Sequence, residues 1–295
     1  MTIGNAIFQG IVQGLTEFLP VSSSGHLTLV QYFTGQGGGA SGILFTVLLH
    51  LGTLLAVLLA FWRTIAELAL EFLRMVVDIF TGRFSFKSLS PKRKMLLLLM
   101  LSMLPLGVAL LFRDWITSVA AGENLFAVGV FFLITSVLIF LSDRCVKGRK
   151  TAKDMRKFDA LAIGAVQAFA TLPGISRSGS TISMGLILGL EKKYAIAFSF
   201  IMGIPPVMAA NVLELGDAMR EGVDLPVLPM IIGVIVSLIV GLFAIKMLRY
   251  MVVSDKFKYF GWYTLVLGIL VLTAATIEHF SGGVLRDMVM AFMLR

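Results

Sequence analysis

The chain alternates long apolar runs with short clusters of charge, and the length of each run decides what it can be. A helix that crosses a bilayer needs roughly 20 consecutive apolar residues. Runs near 43–62, 95–112, 125–141, 194–213, 227–248 and 260–280 reach or approach that length, which predicts six transmembrane helices. Other apolar pieces are too short to cross. Residues 3–19 are interrupted at Pro20 and followed by 24–34, which runs into the glycine-rich "TGQGGGASG"; residues 160–172 end at "PG" and are followed by 176–190. Each pair predicts a re-entrant hairpin, a helix that goes partway in, turns, and leaves on the side it entered. Between 64 and 81, Glu67, Glu71, Arg74 and Asp78 recur at intervals of three and four, the spacing of an amphipathic helix at the membrane interface. "GIPPVM" at 203–208 predicts a kink in the fourth span, because proline lacks the N–H that bonds back one turn.

The two hairpins are related. At a constant offset of 154 residues, Gly10, Val12, Gln13, Ser22, Ser24 and Gly25 recur as Gly164, Val166, Gln167, Ser176, Ser178 and Gly179. Three spans separate the copies, and three is odd, so the second hairpin enters from the opposite face. This is an inverted-topology repeat. The predicted fold is an all-α integral membrane protein in a single domain, 1–295, with repeat 1 at about 1–141 and repeat 2 at about 158–280.

Composition agrees with this class. The chain is 58% hydrophobic and 14% charged, against roughly 25% charged in an ordinary soluble domain. Its net charge of +8 does not mark a nucleic-acid binder, because the basic residues sort by side of the membrane. They crowd the loops 63–94 and 142–157 and include Lys192, Lys193, Lys246, Arg249, Lys256 and Lys258, while Arg113, Arg220, Arg286 and Arg295 stand on the other side. The positive-inside rule makes the crowded side cytoplasmic, with both termini outside. No basic residue precedes the first apolar stretch, which predicts no removable signal peptide. The single cysteine, Cys145, leaves no internal disulfide or cysteine metal cluster to consider.

The chemistry gathers at the hairpin tips. A turn of backbone inside the bilayer leaves amide groups that need partners, and Ser22, Ser23, Ser24, Ser176 and Ser178 can serve there as helix caps. Capping does not account for Glu17 or Arg177, since a charge at membrane depth marks function. Two helix N-termini converging from opposite faces, with one guanidinium between them, suit a multiply charged anion. The copies also differ: Glu17, Ser23 and His26 are replaced by Thr171, Arg177 and Ser180. One tip thus carries a carboxylate, a hydroxyl and an imidazole, and a serine near a base is a recurring nucleophile arrangement. Gln13 lies four residues before Glu17, on the same helix face.

At these residues the sequence resembles the undecaprenyl-diphosphate phosphatase family, the integral-membrane enzymes also known for bacitracin resistance. "QGLTE" followed by "FLPVSSSGH" matches its first motif, Glu or Gln, three residues, then Glu; "PGISRSGST" matches its second, PGxSRSGxT. The resemblance covers essentially the whole chain. It implies hydrolysis of the C55 polyprenyl diphosphate to the monophosphate and inorganic phosphate, which recycles the carrier lipid for peptidoglycan synthesis in the bacterial cytoplasmic (inner) membrane, at a site open to the outer side. By the same resemblance Ser23 is the candidate nucleophile, Glu17 activates it or holds metal, and His26 is a general acid/base, a substrate contact or itself the nucleophile. Arg177 clamps the diphosphate, helped by Ser22, Ser176 and Thr181; dependence on Mg²⁺ or Ca²⁺ is inherited. The first motif position is Gln13 rather than Glu, which removes one carboxylate from any metal site. Gln13, Ser24 and Ser178 complete the set of substrate-binding candidates. The expected partners are the polyprenyl diphosphate lipid and the bilayer, with a homodimer allowed for and nucleic acid excluded. The rival expectation is a transporter or flippase for a phosphate-bearing lipid, since inverted repeats with broken helices are also a transporter architecture. His50, within the first span, is read as a helix-packing hydrogen bond in preference to a residue lining the site, and Glu278 with His279 as an interfacial anchor.

Overall fold

A computed structural model of the chain describes residues 2–34, 40–86, 89–112, 125–145, 148–220, 227–281 and 284–293. Residues 35–39, the loop 113–124 with Arg113, and Lys87, Lys147 and Arg295 lie outside the described residues, as does the side chain of Arg220. Every named element is helical. Helices α1 (Ile3–Thr16) and α2 (Ser23–Thr34) form the first hairpin; α3 (Ala40–Ala60) and α4 (Trp62–Phe80) follow. Then come α5 (Pro91–Ser102), α6 (Leu104–Ala109) with a 3₁₀ turn at Leu110–Phe112, and α7 (Leu125–Asp143). The second hairpin is α8 (Lys157–Phe169) and α9 (Arg177–Ile187). The chain ends in α10 (Lys192–Met202), α11 (Ile204–Arg220), α12 (Val227–Val253), α13 (Lys258–Ser281) and α14 (Val284–Met293).

Both predicted hairpins form, and their ends show how the second is held. Lys150 pairs with Asp159 in the first turn of α8, Nζ to Oδ2 3.5 Å, while its backbone exchanges hydrogen bonds with Gly189 and Glu191 just past α9. One residue of a basic loop therefore clasps the start and the finish of the hairpin, so α9 leaves on the side where α8 entered. Each hairpin lies tightly against one helix. A Cβ on Gly10 would stand 2.8 Å from the Gly233 carbonyl of α12, and one on Gly164 would stand 2.1 Å from the Ser102 carbonyl of α5. These glycines, matched at the 154-residue offset, let helix backbones approach where any side chain would hold them apart.

By length and composition the described helices supply four or five spans against the six expected. Among the described residues, Leu125–Asp143, Lys192–Leu213, Val227–Val253 and Lys258–Ser281 are long and apolar enough to cross a membrane, and Leu44–Ala60 joins them only together with α4, from which it is bent by 83°. That bend at Phe61 turns the chain into the predicted amphipathic helix. Arg93 in the first turn of α5 holds it there, bonding Glu71 at 2.6 Å and Asp78 at 2.7 Å. The segment 95–112, expected as one span, is instead broken at Met103 into α5 and α6. Pro105 is the cause, since it has no N–H to return to Leu101 and its ring crowds that carbonyl. The kink expected at "GIPPVM" is present as the break between α10 and α11 at Gly203. Helix α14 was not anticipated. Glu278, read as an anchor, is 8% exposed and accepts the backbone N–H of Arg286 at 2.6 Å, so it ties α14 to α13.

Candidate active site

The two tips meet. The Ser178 hydroxyl donates to the Leu19 carbonyl at 3.3 Å, and a Cβ on Gly25 would stand 3.0 Å from Gly174. Below the junction Phe18, Phe200 and Phe61 pack edge to face, with centroids 5.4 and 5.7 Å apart, and close the floor with apolar surface.

Each tip is built on a serine cap. Ser22 accepts the Gly25 N–H at 3.2 Å and Ser176 accepts the Gly179 N–H at 3.0 Å, and each touches the serine two residues on at 3.3 Å. The capping role considered from sequence is therefore real for Ser22 and Ser176, and it leaves Ser23 free. Ser22 has φ +69°, a left-handed conformation that costs a non-glycine residue roughly 1–2 kcal/mol. Its carbonyl takes two hydrogen bonds in compensation, from the His26 backbone N–H at 3.2 Å and from His26 Nδ1 at 2.7 Å.

The charged residues converge on one carboxylate. Glu17, 8% exposed, accepts from Ser23 Oγ (2.7 Å) and Gln13 Nε2 (3.0 Å) on Oε2, and from Arg177 Nη2 (2.5 Å) on Oε1. Arg177 Nη1 also donates to the Gly203 carbonyl at 3.3 Å. A Cβ at Gly203 would lie 2.6 Å from that Nη1, so the helix break reserves the guanidinium's place. His50 Nδ1 donates to the Thr46 carbonyl of its own helix at 2.8 Å, and its Nε2 faces Glu17 Oε2 at 3.6 Å.

A cavity of about 400 Å³ opens at this cluster, lined by Glu17, Ser22, Ser23, Ser24, Ser176 and Arg177 from the predicted set. The remaining candidates lie around it. Gln13, fully buried, orients Glu17. Ser178 joins the tips, and Thr181 is occupied by the Arg177 carbonyl at 2.7 Å and by Ser199 Oγ at 2.5 Å. His26 is engaged at both ring nitrogens: Nδ1–H must donate to the Ser22 carbonyl, so Nε2 accepts the Tyr263 hydroxyl at 2.7 Å. Its ring also stacks on Tyr263, centroids 5.8 Å apart.

The lining also holds residues that the sequence reading did not put forward, His50 and Gln167 among them. His50 belongs to the site and does not hold a neighbouring helix; a histidine inside an apolar run carries no sign of which way it faces. Gln167, 2% exposed, lines the cavity with neither amide atom partnered among the described residues. Its match to Gln13 at the repeat offset was the available signal. Among the described residues no three His, Cys, Asp or Glu side chains gather as a metal cage. One carboxylate is still a fit donor for a hard divalent cation that is completed by substrate phosphate oxygens and water, and among the described residues Glu17 is the carboxylate that lines the cavity.

The family model for bacitracin resistance protein BacA matches residues 6–270. The chain is 40% identical to the undecaprenyl-diphosphatase of Alkaliphilus metalliredigens, covering 92% of this chain and 98% of that one. It is 37% identical to the undecaprenyl-diphosphatase of Methanosphaera stadtmanae over 94% and 99% of the two chains, and 36% identical to that of Treponema denticola over 91% and 96%.

Proposed function

This chain belongs to the bacitracin resistance protein (BacA) family, and from that premise and the cavity's chemistry we propose that it is an integral-membrane phosphatase that hydrolyses undecaprenyl diphosphate to undecaprenyl phosphate and inorganic phosphate. The observation that carries the mechanism is the bond from Ser23 Oγ to Glu17 Oε2 at 2.7 Å beside the Arg177 guanidinium. A hydroxyl held on a buried carboxylate, next to an anion receptor, is a nucleophile with its base in place.

The diphosphate enters between the two capped helix starts, where free N–H groups and helix dipoles favour its charge. Arg177 turns from Glu17 to the phosphate oxygens, offering paired donors that cannot lose their proton. Ser23 Oγ then attacks the terminal phosphorus as its proton passes to Glu17. The anhydride P–O bond breaks, and undecaprenyl phosphate leaves with the bridging oxygen, which takes the proton from Glu17. Water then gives a proton to the regenerated Glu17 carboxylate and attacks the phosphoseryl ester; phosphate is released, and Glu17 returns the proton to Ser23 Oγ. A divalent cation held by Glu17 and the substrate would supply neutralising charge to the phosphates. Serine is favoured over histidine because both nitrogens of His26 are already bonded.

The site opens to the outer side on this reading. Thr46 lines it from the half of α3 remote from the basic loop 63–94, and Leu106 and Asn211 line it from α6 and α11, the pieces that lie beyond the breaks at Met103 and Gly203 from the basic ends of α5 and α10; those basic ends mark the cytoplasmic face. An inverted repeat is supported by the paired caps and by the crossed packing of Gly10 and Gly164. The test is phosphate release by the purified protein from undecaprenyl diphosphate, with and without chelator. Release with a saturable dependence on the lipid is expected; movement of the lipid across vesicles with no release would replace the enzyme by a flippase.

A further inference from the structure

The polar cavity accounts for the head of the proposed substrate and leaves its tail unplaced. A second cavity, of about 730 Å³, adjoins the first and shares Thr171 with it. It lies between α6 and α8, and its walls include Val108, Phe112, Ala165, Phe169 and Leu172, with Thr171 as the one polar residue among the described ones. Helix α8 sorts its faces to match. Gln167 and Thr171, one turn apart, look into the polar cavity, while Ala165, Phe169 and Leu172 line the apolar one. The opposite wall exists because Pro105 breaks the helix at Met103 and sets α6 off as a short separate piece.

Resting on the phosphatase reading, we propose that this groove is the tail site: the first isoprene units of the polyprenyl chain run from Thr171 between α6 and α8 while the diphosphate occupies the Glu17–Arg177 cavity. Continuity is the argument. A head held at Arg177 must pass its tail through an opening that is apolar from its first atoms onward, and the groove begins where the polar lining ends. Val108, Phe112 and Phe169 are more than half exposed, so the groove is open at the side for the long remainder of the chain to leave into the bilayer. A tail that moves from lipid into this groove gains no hydrophobic free energy, since lipid is equally apolar. The groove therefore selects by shape, and filling it discriminates against any substrate that carries a tail.

The test compares undecaprenyl diphosphate with methyl diphosphate, which carries the same head and no tail, for the wild type, Val108→Trp, Ala165→Trp and, as a control on the exposed face of α12, Ile235→Trp. The groove variants should raise the ratio of KM for the long substrate to KM for the short one by about tenfold, as expected for overpacking a fitted site, and Ile235→Trp should leave the ratio at its wild-type value. An unchanged ratio in both groove variants overturns the proposal and leaves the groove to bulk lipid. Should those variants fail to fold, a polyprenyl diphosphate carrying a photoreactive group on its first isoprene units decides on the wild type alone. Labelling of 104–112 and 165–172 supports the tail site, and labelling elsewhere overturns it. A wild type that is labelled there but releases no phosphate would retain the groove and refute the phosphatase.

Discussion

Replacing Glu17 by glutamine removes one negative charge and one base while keeping the length of the side chain, and the structure predicts opposite effects on binding and turnover. In the resting site Glu17 competes with the substrate for Arg177, at 2.5 Å. A phosphate seated on the far side of the guanidinium lies about 5 Å from the carboxylate, where two unit charges repel by about 3 kcal/mol at an effective dielectric constant near 20. Glutamine abolishes that repulsion and weakens the hold on Arg177 to that of a neutral acceptor, so KM should stay level or fall. The base is lost at the same time. Ser23 Oγ, now beside an amide, has no acceptor for its proton, and kcat should fall by roughly 10²–10⁴-fold, the usual contribution of a positioned general base. Folding should survive, because the amide oxygen still accepts from Arg177 and Gln13 is uncharged. Steady-state phosphate release from undecaprenyl diphosphate, with thermal unfolding in detergent as the control, measures all three quantities. A tenfold rise in KM with kcat intact would refute the assignment and make Glu17 a substrate contact, acting through a bridging cation rather than as the base for Ser23.

Further outcomes follow from the same geometry. Arg177→Lys keeps the charge but loses the planar fork, so KM should rise by about tenfold or more, and log KM should also grow more sensitive to salt. Gly203→Ala places a methyl 2.6 Å from Arg177 Nη1; it should reproduce most of the Arg177→Lys defect in phosphate release without lowering thermal stability by more than about 1 kcal/mol. His50→Ala removes the imidazole that faces Glu17 and should lower kcat/KM by about tenfold, whereas His50→Gln, which fills the same space and can place an amide N–H within reach of the carboxylate, should recover most of it. Equal losses in both would show that His50 acts only through the packing of α3.

The hairpins, the amphipathic helix, the Gly203 kink and the pairing of the two tips were legible along the chain, because run length, glycine and proline placement and a 154-residue self-match are properties of sequence. Glu17 and Arg177 stood out for the same reason: charge inside an apolar run is costly wherever it lies. Other features depended on neighbours that no local pattern encodes. Pro105 stands inside a segment read as one span, and the division of 95–112 into α5 and α6 came only with the fold, where α8 lies beside it and a groove opens between them. Thr181 and Ser178 matched a motif, but packing turned their hydroxyls to Ser199 and Leu19. His50 and Gln167 showed the reverse, ordinary residues of helices that happen to face the cavity. Membrane solvation acts on every residue separately and so can be read in order along the chain. Which polar atom meets which is settled by the rotation and depth of helices far apart in sequence, and only the folded molecule sets those.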